Sequence, residues 1–75
     1  MKIYILTCVN GNGVITSVDA YATLNEAHAA MVNAHNAETA DLKDIGQYQA
    51  SRDYVEQCAA TVGDYVWRIW IREVY

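Results

Sequence analysis

Phenylalanine is absent from this chain, whose aromatic residues are six Tyr and two Trp. Each of these side chains buries a large apolar body and keeps one polar group that needs a hydrogen-bond partner. The aromatic composition therefore suits half-buried surfaces.

Cysteine is scarce, and its two copies stand far apart in the chain. Cys8 and Cys58 lack the CxxC spacing, which argues against both a disulfide scaffold and a zinc site. Unpaired cysteine behaves as a small apolar residue, so we expect two buried free thiols in a reducing compartment.

Basic residues are also few, because five Lys and Arg stand against nine Asp and Glu and give a net charge of −4. A non-specific nucleic-acid binder needs a basic surface to neutralise phosphates, so the charge argues against nucleic acid as a partner. No apolar run approaches transmembrane length, and a strand-like run follows Met1-Lys2 directly, without a signal peptide. We therefore predict a cytoplasmic protein without a membrane segment.

Apolar residues are plentiful enough for one core. With 53% hydrophobic and 19% charged residues, the chain falls among globular rather than disordered proteins. Its 75 residues allow a single domain, residues 1–75, near the smallest size at which one core suffices. We expect stability to be modest or shared with a partner.

The first third of the chain predicts a β-hairpin. Residues 2–9 are mostly β-branched or aromatic, and they lead into Asn10-Gly11-Asn12-Gly13, a strong hairpin-turn signal. A second strand follows at about residues 14–22. Which of the four residues form the turn is left open.

The two faces of this hairpin are expected to differ in burial. Every choice of turn keeps the same parity of pairing, so the division of side chains between the faces does not depend on it. Ile3 and Ile5 share one face, whereas Tyr4, Leu6 and Tyr21 share the other. We expect the face of Ile3 and Ile5 to be the core.

A helix is predicted from Leu24 to about Glu38. Thr23 and Glu26 have the spacing of a capping box, in which both side chains satisfy free backbone amides at a helix start. Small residues at helical spacing would let this helix lie close to the sheet.

The end of the chain predicts a second hairpin. Residues 54–62 fit either a strand or a helix, and we prefer a strand, which Gly63-Asp64 connects to a last strand within residues 65–75. The resulting register places Ala60 beside Trp67, so that a small side chain lies opposite a large one.

These elements give an α+β fold, a four-stranded antiparallel sheet in the order ββαββ along the chain, with one main helix on one face. Residues 39–53 hold few large apolar side chains and are interpreted as a loop or frayed helical turn, with a helix stop at Gly46. One helix covers only one face of a sheet. The outer face is then covered by residues 39–53 or by another protein.

The last strand carries the one constellation that points to binding. Trp70 shares a strand face with Arg68 and Arg72, because side chains alternate along a strand. Two cations beside an indole can bind a partner, or they can simply cover the ring. We favour a partner. The predicted partner-binding residues are Trp70, Arg68, Arg72, Tyr4, Leu6 and Tyr21.

No residues are spaced for catalysis or for a cofactor or metal. His28 and His35 would lie about 10 Å apart along a helix, too far to share a metal without further ligands. The Asn-Gly repeat joins two strands, so it is interpreted as a turn and not as a phosphate-binding loop. We predict a protein that is not an enzyme.

Three segments carry a resemblance to known proteins: the opening Lys2-Ile-Tyr-Ile-Leu-Thr7, the helix start Tyr21-Ala-Thr-Leu-Asn-Glu-Ala27 and the closing Tyr65-Val-Trp-Arg-Ile69. Together they resemble the small uncharacterised ββαββ proteins of bacteria and of their phages or mobile elements. The likeness spans most of the chain. It implies the fold, and it brings no catalytic residues.

Two functions are expected. The first is an interaction module that forms a homodimer or binds another protein through the outer sheet face, with Trp70 as its anchor. The alternative is a phage- or element-encoded inhibitor that binds a host defence protein or nuclease. It would use an acidic helix edge formed by Glu38, Asp41 and Asp44.

Overall fold

Five strands form one antiparallel sheet in the computed structural model, which describes residues 1–75. In chain order they are β1 Lys2–Val9, β2 Ile15–Tyr21, β3 Tyr54–Val55, β4 Ala59–Val62 and β5 Tyr65–Glu73. They lie side by side in the order β2-β1-β5-β4-β3. A single long helix, α1 Leu24–Asp44, packs on the sheet, and a short 3₁₀ helix covers Ala50–Arg52. The α+β class with one main helix is confirmed.

The turn between β1 and β2 is built around Asn10. The Gly13 amide donates to the Asn10 carbonyl, and the Asn10 amide donates to the Val14 carbonyl, each at 3.0 Å. Gly13 has φ 75°, the left-handed region that glycine adopts most easily. Residues 11–13 thus form a three-residue hairpin loop. Beyond a bulge at Cys8 and Val9, the strands pair with the predicted division of faces.

The predicted single strand over residues 54–62 is wrong, and the sheet has five strands instead of four. Tyr54 pairs with Thr61, because the chain reverses between β3 and β4, where the Glu56 amide donates to the Ala59 carbonyl at 2.7 Å. The register of the final hairpin is confirmed, since Ala60 lies beside Trp67.

The helix starts where it was predicted and ends later. Thr23 caps it, since its Oγ1 accepts a hydrogen bond from the Glu26 amide at 3.1 Å. It continues past Glu38 because Leu42, one turn further on, still packs against the core. Gly46, with φ 71°, confirms the predicted stop. None of the helices combines the length and the apolarity that a membrane crossing requires.

The predicted core face is wrong, because α1 covers the opposite face of the first hairpin. The register between β1 and β5 pairs Leu6 with Ile69 and Cys8 with Trp67, and all four are buried. Both faces of β1 carry large apolar side chains, so alternation alone could not choose between them. The apolar core consists of Leu6, Cys8, Ala27, Met31, Ala60, Val62, Trp67 and Ile69.

Neighbouring residues of β1 provide a test of which face is the core. Leu6→Ala should lower the free energy of unfolding by about 2–5 kcal/mol, because Leu6 is 5% exposed against α1. Ile5→Ala should cost on the order of 1 kcal/mol, because Ile5 is half-buried on the uncovered face. Chemical denaturation of both variants measures the difference. A larger loss for Ile5→Ala would contradict the assignment.

Candidate functional site

The sheet face opposite α1 is uncovered, and we call it the open face. The strand registers and the alternation of side chains place a mostly apolar set of residues there. Val18 is 60% exposed and Ile15 is 59% exposed, both on the outermost strand β2. The members on β1, β2 and β5 are Ile3, Ile5, Thr7, Val9, Ile15, Val18, Ala20, Val66, Arg68, Trp70 and Arg72.

Trp70 is held in a defined position near the centre of this face. Its ring nitrogen Nε1 donates to Thr7 Oγ1 at 3.0 Å, which ties β5 to β1 through their side chains. The guanidinium carbons of Arg68 and Arg72 lie 6.0 Å and 5.7 Å from the centre of the Trp70 ring. These distances are within reach of a cation–π attraction. The ring is nevertheless 40% exposed.

Neither Arg68 nor Arg72 forms a salt bridge within the chain. The salt bridges of the chain join Met1 to Glu73 and Arg52 to Asp64, His35 contacts Asp53, and none of these pairs involves Arg68 or Arg72. Arg72 donates one hydrogen bond, to the carbonyl of its neighbour Ile71. The open face therefore presents an indole between two cations that have no acidic partner within the chain.

A shallow pocket of about 260 Å³ lies beside Trp70, at the side of the sheet nearer β4. Its size suits a single apolar side chain more than a small-molecule ligand, since ligand pockets usually start at about 300 Å³. The pocket is lined by Glu56, Cys58, Ala59, Arg68, Ile69 and Trp70.

Half of the predicted partner-binding residues lie on the open face. Arg68, Trp70 and Arg72 are brought together there, as predicted from their spacing. The predicted placement of Tyr4, Leu6 and Tyr21 on this surface is wrong. Leu6 is buried under α1, and both tyrosines are half-buried against the core. All three lie on the helix side of the sheet, because the β1–β5 register places Trp70 on the other side.

Residues 45–53 do not cover the open face, because they are tied to the helix side. Tyr48 packs against the core, and its hydroxyl donates to Asp53 Oδ2 at 2.5 Å. The other carboxylate oxygen of Asp53 lies 2.7 Å from Nε2 of His35, a buried residue of α1. The His35 ring in turn meets Trp67 edge-on. No motif in the sequence indicated this cluster, because its members are far apart along the chain.

The cluster shifts the pKa of two of its members. The hydrogen bond from Tyr48 lowers the pKa of the Asp53 carboxyl, and the contact with His35 lowers it further, against an opposing effect of partial burial. The same bond to Asp53 raises the pKa of Tyr48. No pocket contains the three side chains together, so the cluster acts as a tether between α1 and the following segment.

Metal binding has no support in the geometry. No group of three or more His, Cys, Asp or Glu side chains is placed to hold an ion. Nδ1 of the other helix histidine, His28, lies 3.0 Å from the Gln57 carbonyl. Both histidines thus join α1 to the sheet side of the molecule.

Comparisons with known proteins add no assignment to this geometry. A scan against protein-family models and searches of curated proteins and of solved structures found no match to the chain.

The Asp53 cluster predicts a pH-dependent contribution to stability. Because the pKa of Asp53 is lowered by folding, its stabilisation is present above the ordinary value of 3.8 and is lost as the pH falls through the lowered pKa. Asp53→Asn should therefore lower the melting temperature at pH 7, and the gap from the wild type should shrink below pH 3.8.

Thermal denaturation from pH 7 to pH 3 measures this gap. Asp41→Asn is the matched control, because Asp41 is exposed near the end of α1 and forms no salt bridge. It should leave the melting temperature nearly unchanged or slightly raised, since an acid near a helix C-terminus is unfavourable. An Asp53→Asn gap that stays constant down to pH 3 would contradict the role of the carboxylate.

Proposed function

We propose that the protein is a non-enzymatic interaction module that binds another protein chain, a second copy or a different protein, through the open face. One observation carries this proposal. The only long helix covers one face of the sheet, and the other face exposes apolar side chains around Trp70. Contiguous exposed apolar surface of this kind marks interaction sites.

The composition of the open face supports the same function. Trp and Arg are the side chains that contribute most to binding at protein interfaces. Trp70 has already lost rotational freedom through its bond to Thr7, so that less entropy remains to be lost on binding. A partner that covers the ring would also displace water from Arg68 and Arg72.

We also propose a cytoplasmic location for the module. Cys8 is buried and Cys58 is half-buried, and both are free thiols. Free cysteines are compatible with a reducing compartment, where disulfides rarely persist.

Site-specific photo-crosslinking in cells tests the binding surface. A photoreactive amino acid at Val18, on the open face, should capture a protein chain, whereas the same amino acid at Ala40, exposed on α1, should not. Adding Trp70→Ala should remove the Val18 adduct, because the anchor of the interface is lost. Mass spectrometry identifies the adduct as a second copy or a different protein.

The other tryptophan provides the control for folding. Trp67 is 2% exposed in the core, so Trp67→Ala should cost about 3–5 kcal/mol of stability. Trp70→Ala should instead leave a folded protein. Unfolding of Trp70→Ala, or a Val18 adduct that survives it, would contradict the proposal.

The acidic end of α1 favours a second candidate, an inhibitor that binds a basic surface on a defence protein or nuclease and is encoded by a phage or mobile element. Glu38, Asp41 and Asp44 all lie on α1 and form no salt bridge. Asp41 and Asp44 lie in the last turn of the helix and oppose its dipole, at a cost of about 0.3–1 kcal/mol each. Binding to a basic surface would offset that cost.

Charge reversal tests this second candidate. In cells that carry a nuclease-based defence, the wild-type chain should raise phage plating, and the triple variant Glu38→Lys, Asp41→Lys, Asp44→Lys should not. The variant should stay folded, because the reversed charges complement the helix dipole. Plaque counts measure the effect. Equal plating with both proteins would eliminate the candidate.

A further inference from the structure

The strands of the open face carry charge of one sign on an otherwise acidic protein, and the acid Glu56 lines the pocket beside Trp70. The only charged residues of the open face on the strands are Arg68 and Arg72. The strand acids point to the helix side, because the registers pair Asp19 with Leu6 and Glu73 with Lys2. The whole chain nevertheless has a net charge of −4. A partner that fits this face must supply negative charge as well as apolar surface.

The open face of a second copy and the middle of its helix α1 both fit this surface poorly. In a symmetric dimer the same patch lies on both subunits, so the two arginines of one open face would meet those of the other, with Glu56 as the one acid of the pocket beside them. The exposed side of α1 offers acids, but its middle carries only small residues. Ala29, Asn33 and Ala37 cannot cover an indole. The middle of α1 therefore does not combine carboxylates with large apolar side chains.

We infer that the open face binds an acidic amphipathic helix of a different protein, an inference that rests on the proposed function. Apolar side chains of that helix cover Trp70 and Ile5, and one enters the pocket beside Trp70. Carboxylates on the same helix bind Arg68 and Arg72. The complex has three layers, with the sheet between α1 and the bound helix, an arrangement that buries both faces of a sheet.

The distance between Arg68 and Arg72 determines how far apart the carboxylates of the bound helix must lie. Arg68 and Arg72 are four residues apart on β5, which is about 13 Å at the rise of a strand. Carboxylates seven or eight residues apart on a helix span about 10–12 Å, and flexible arginine side chains make up the rest. Apolar residues three and four positions after the first acid then lie over Trp70.

Single-stranded nucleic acid fits the same face less well. Its binding sites combine a basic groove with several aromatic rings on which successive bases stack. The rings on the open face are Trp70 and, three strands along the sheet counting its own, Tyr54 on β3, and the surrounding protein is acidic. A single-stranded oligonucleotide is therefore included in the binding experiment, as an alternative ligand to the peptides.

Two designed peptides test the inference. Each is a labelled helical peptide with leucines along one side, flanked by either glutamates or lysines seven residues apart. Fluorescence anisotropy should show the glutamate peptide binding the wild-type protein on the order of tenfold more tightly than the lysine peptide. The double variant Arg68→Glu, Arg72→Glu should reverse that preference. Trp70→Ala should weaken the binding of the glutamate peptide.

An arginine outside the open face provides the matched control. Arg52 forms an exposed salt bridge with Asp64, away from Trp70, so Arg52→Glu should leave the preference for the glutamate peptide unchanged. Circular dichroism checks that all variants keep the fold.

Each remaining outcome overturns the inference. If both peptides bind equally tightly and Trp70→Ala abolishes their binding, charge has no role in recognition. The proposed function is then unaffected. Tighter binding of a single-stranded oligonucleotide assigns the face to nucleic acid, and a Trp70-dependent dimer assigns it to a second copy. Binding of neither peptide removes the helix as the occupant. The proposed function itself fails if the photoreactive amino acid at Val18 captures no protein chain, if its adduct survives Trp70→Ala, if Trp70→Ala unfolds, or if the face binds nucleic acid instead.

Discussion

Side chains alternate along β5, and this alternation decides which residues each face of the sheet presents. Trp67 and Ile69 point to one side, where β1, β4 and α1 bury them. The same backbone geometry sends Arg68, Trp70 and Arg72 to the other side. A chain of 75 residues forms one long helix, which covers one side only. A central strand with large apolar side chains on both faces therefore leaves one of them open.

Features encoded by a few adjacent residues could be predicted from the sequence. The Asn-Gly repeat indicated the first hairpin, Thr23 indicated the helix start, and Gly46 indicated a helix stop, although the main helix was predicted to end earlier, near Glu38. The Gly63-Asp64 turn set the register that places Ala60 against Trp67. In each case a local backbone requirement, a left-handed residue or a free amide, limits the alternatives. The clustering of the two arginines around Trp70 follows from the same local alternation.

Features that depend on contacts between distant segments could not be predicted. Both faces of β1 are apolar, so the buried face is chosen by the register with β5, some sixty residues further along the chain. Because α1 covers the face that was predicted to be open, Tyr4, Leu6 and Tyr21 lie away from the candidate site. Likewise, the reversal between β3 and β4 and the contact of His35 with Asp53 follow from where the chain returns after α1.

The open face stays uncovered in the isolated protein and is available to a different protein. Light scattering of the purified chain at micromolar concentration should therefore give the mass of a monomer, 8.4 kDa. A stable dimer that Trp70→Ala converts to monomer would contradict it, because the open face would then be occupied by a second copy of the chain.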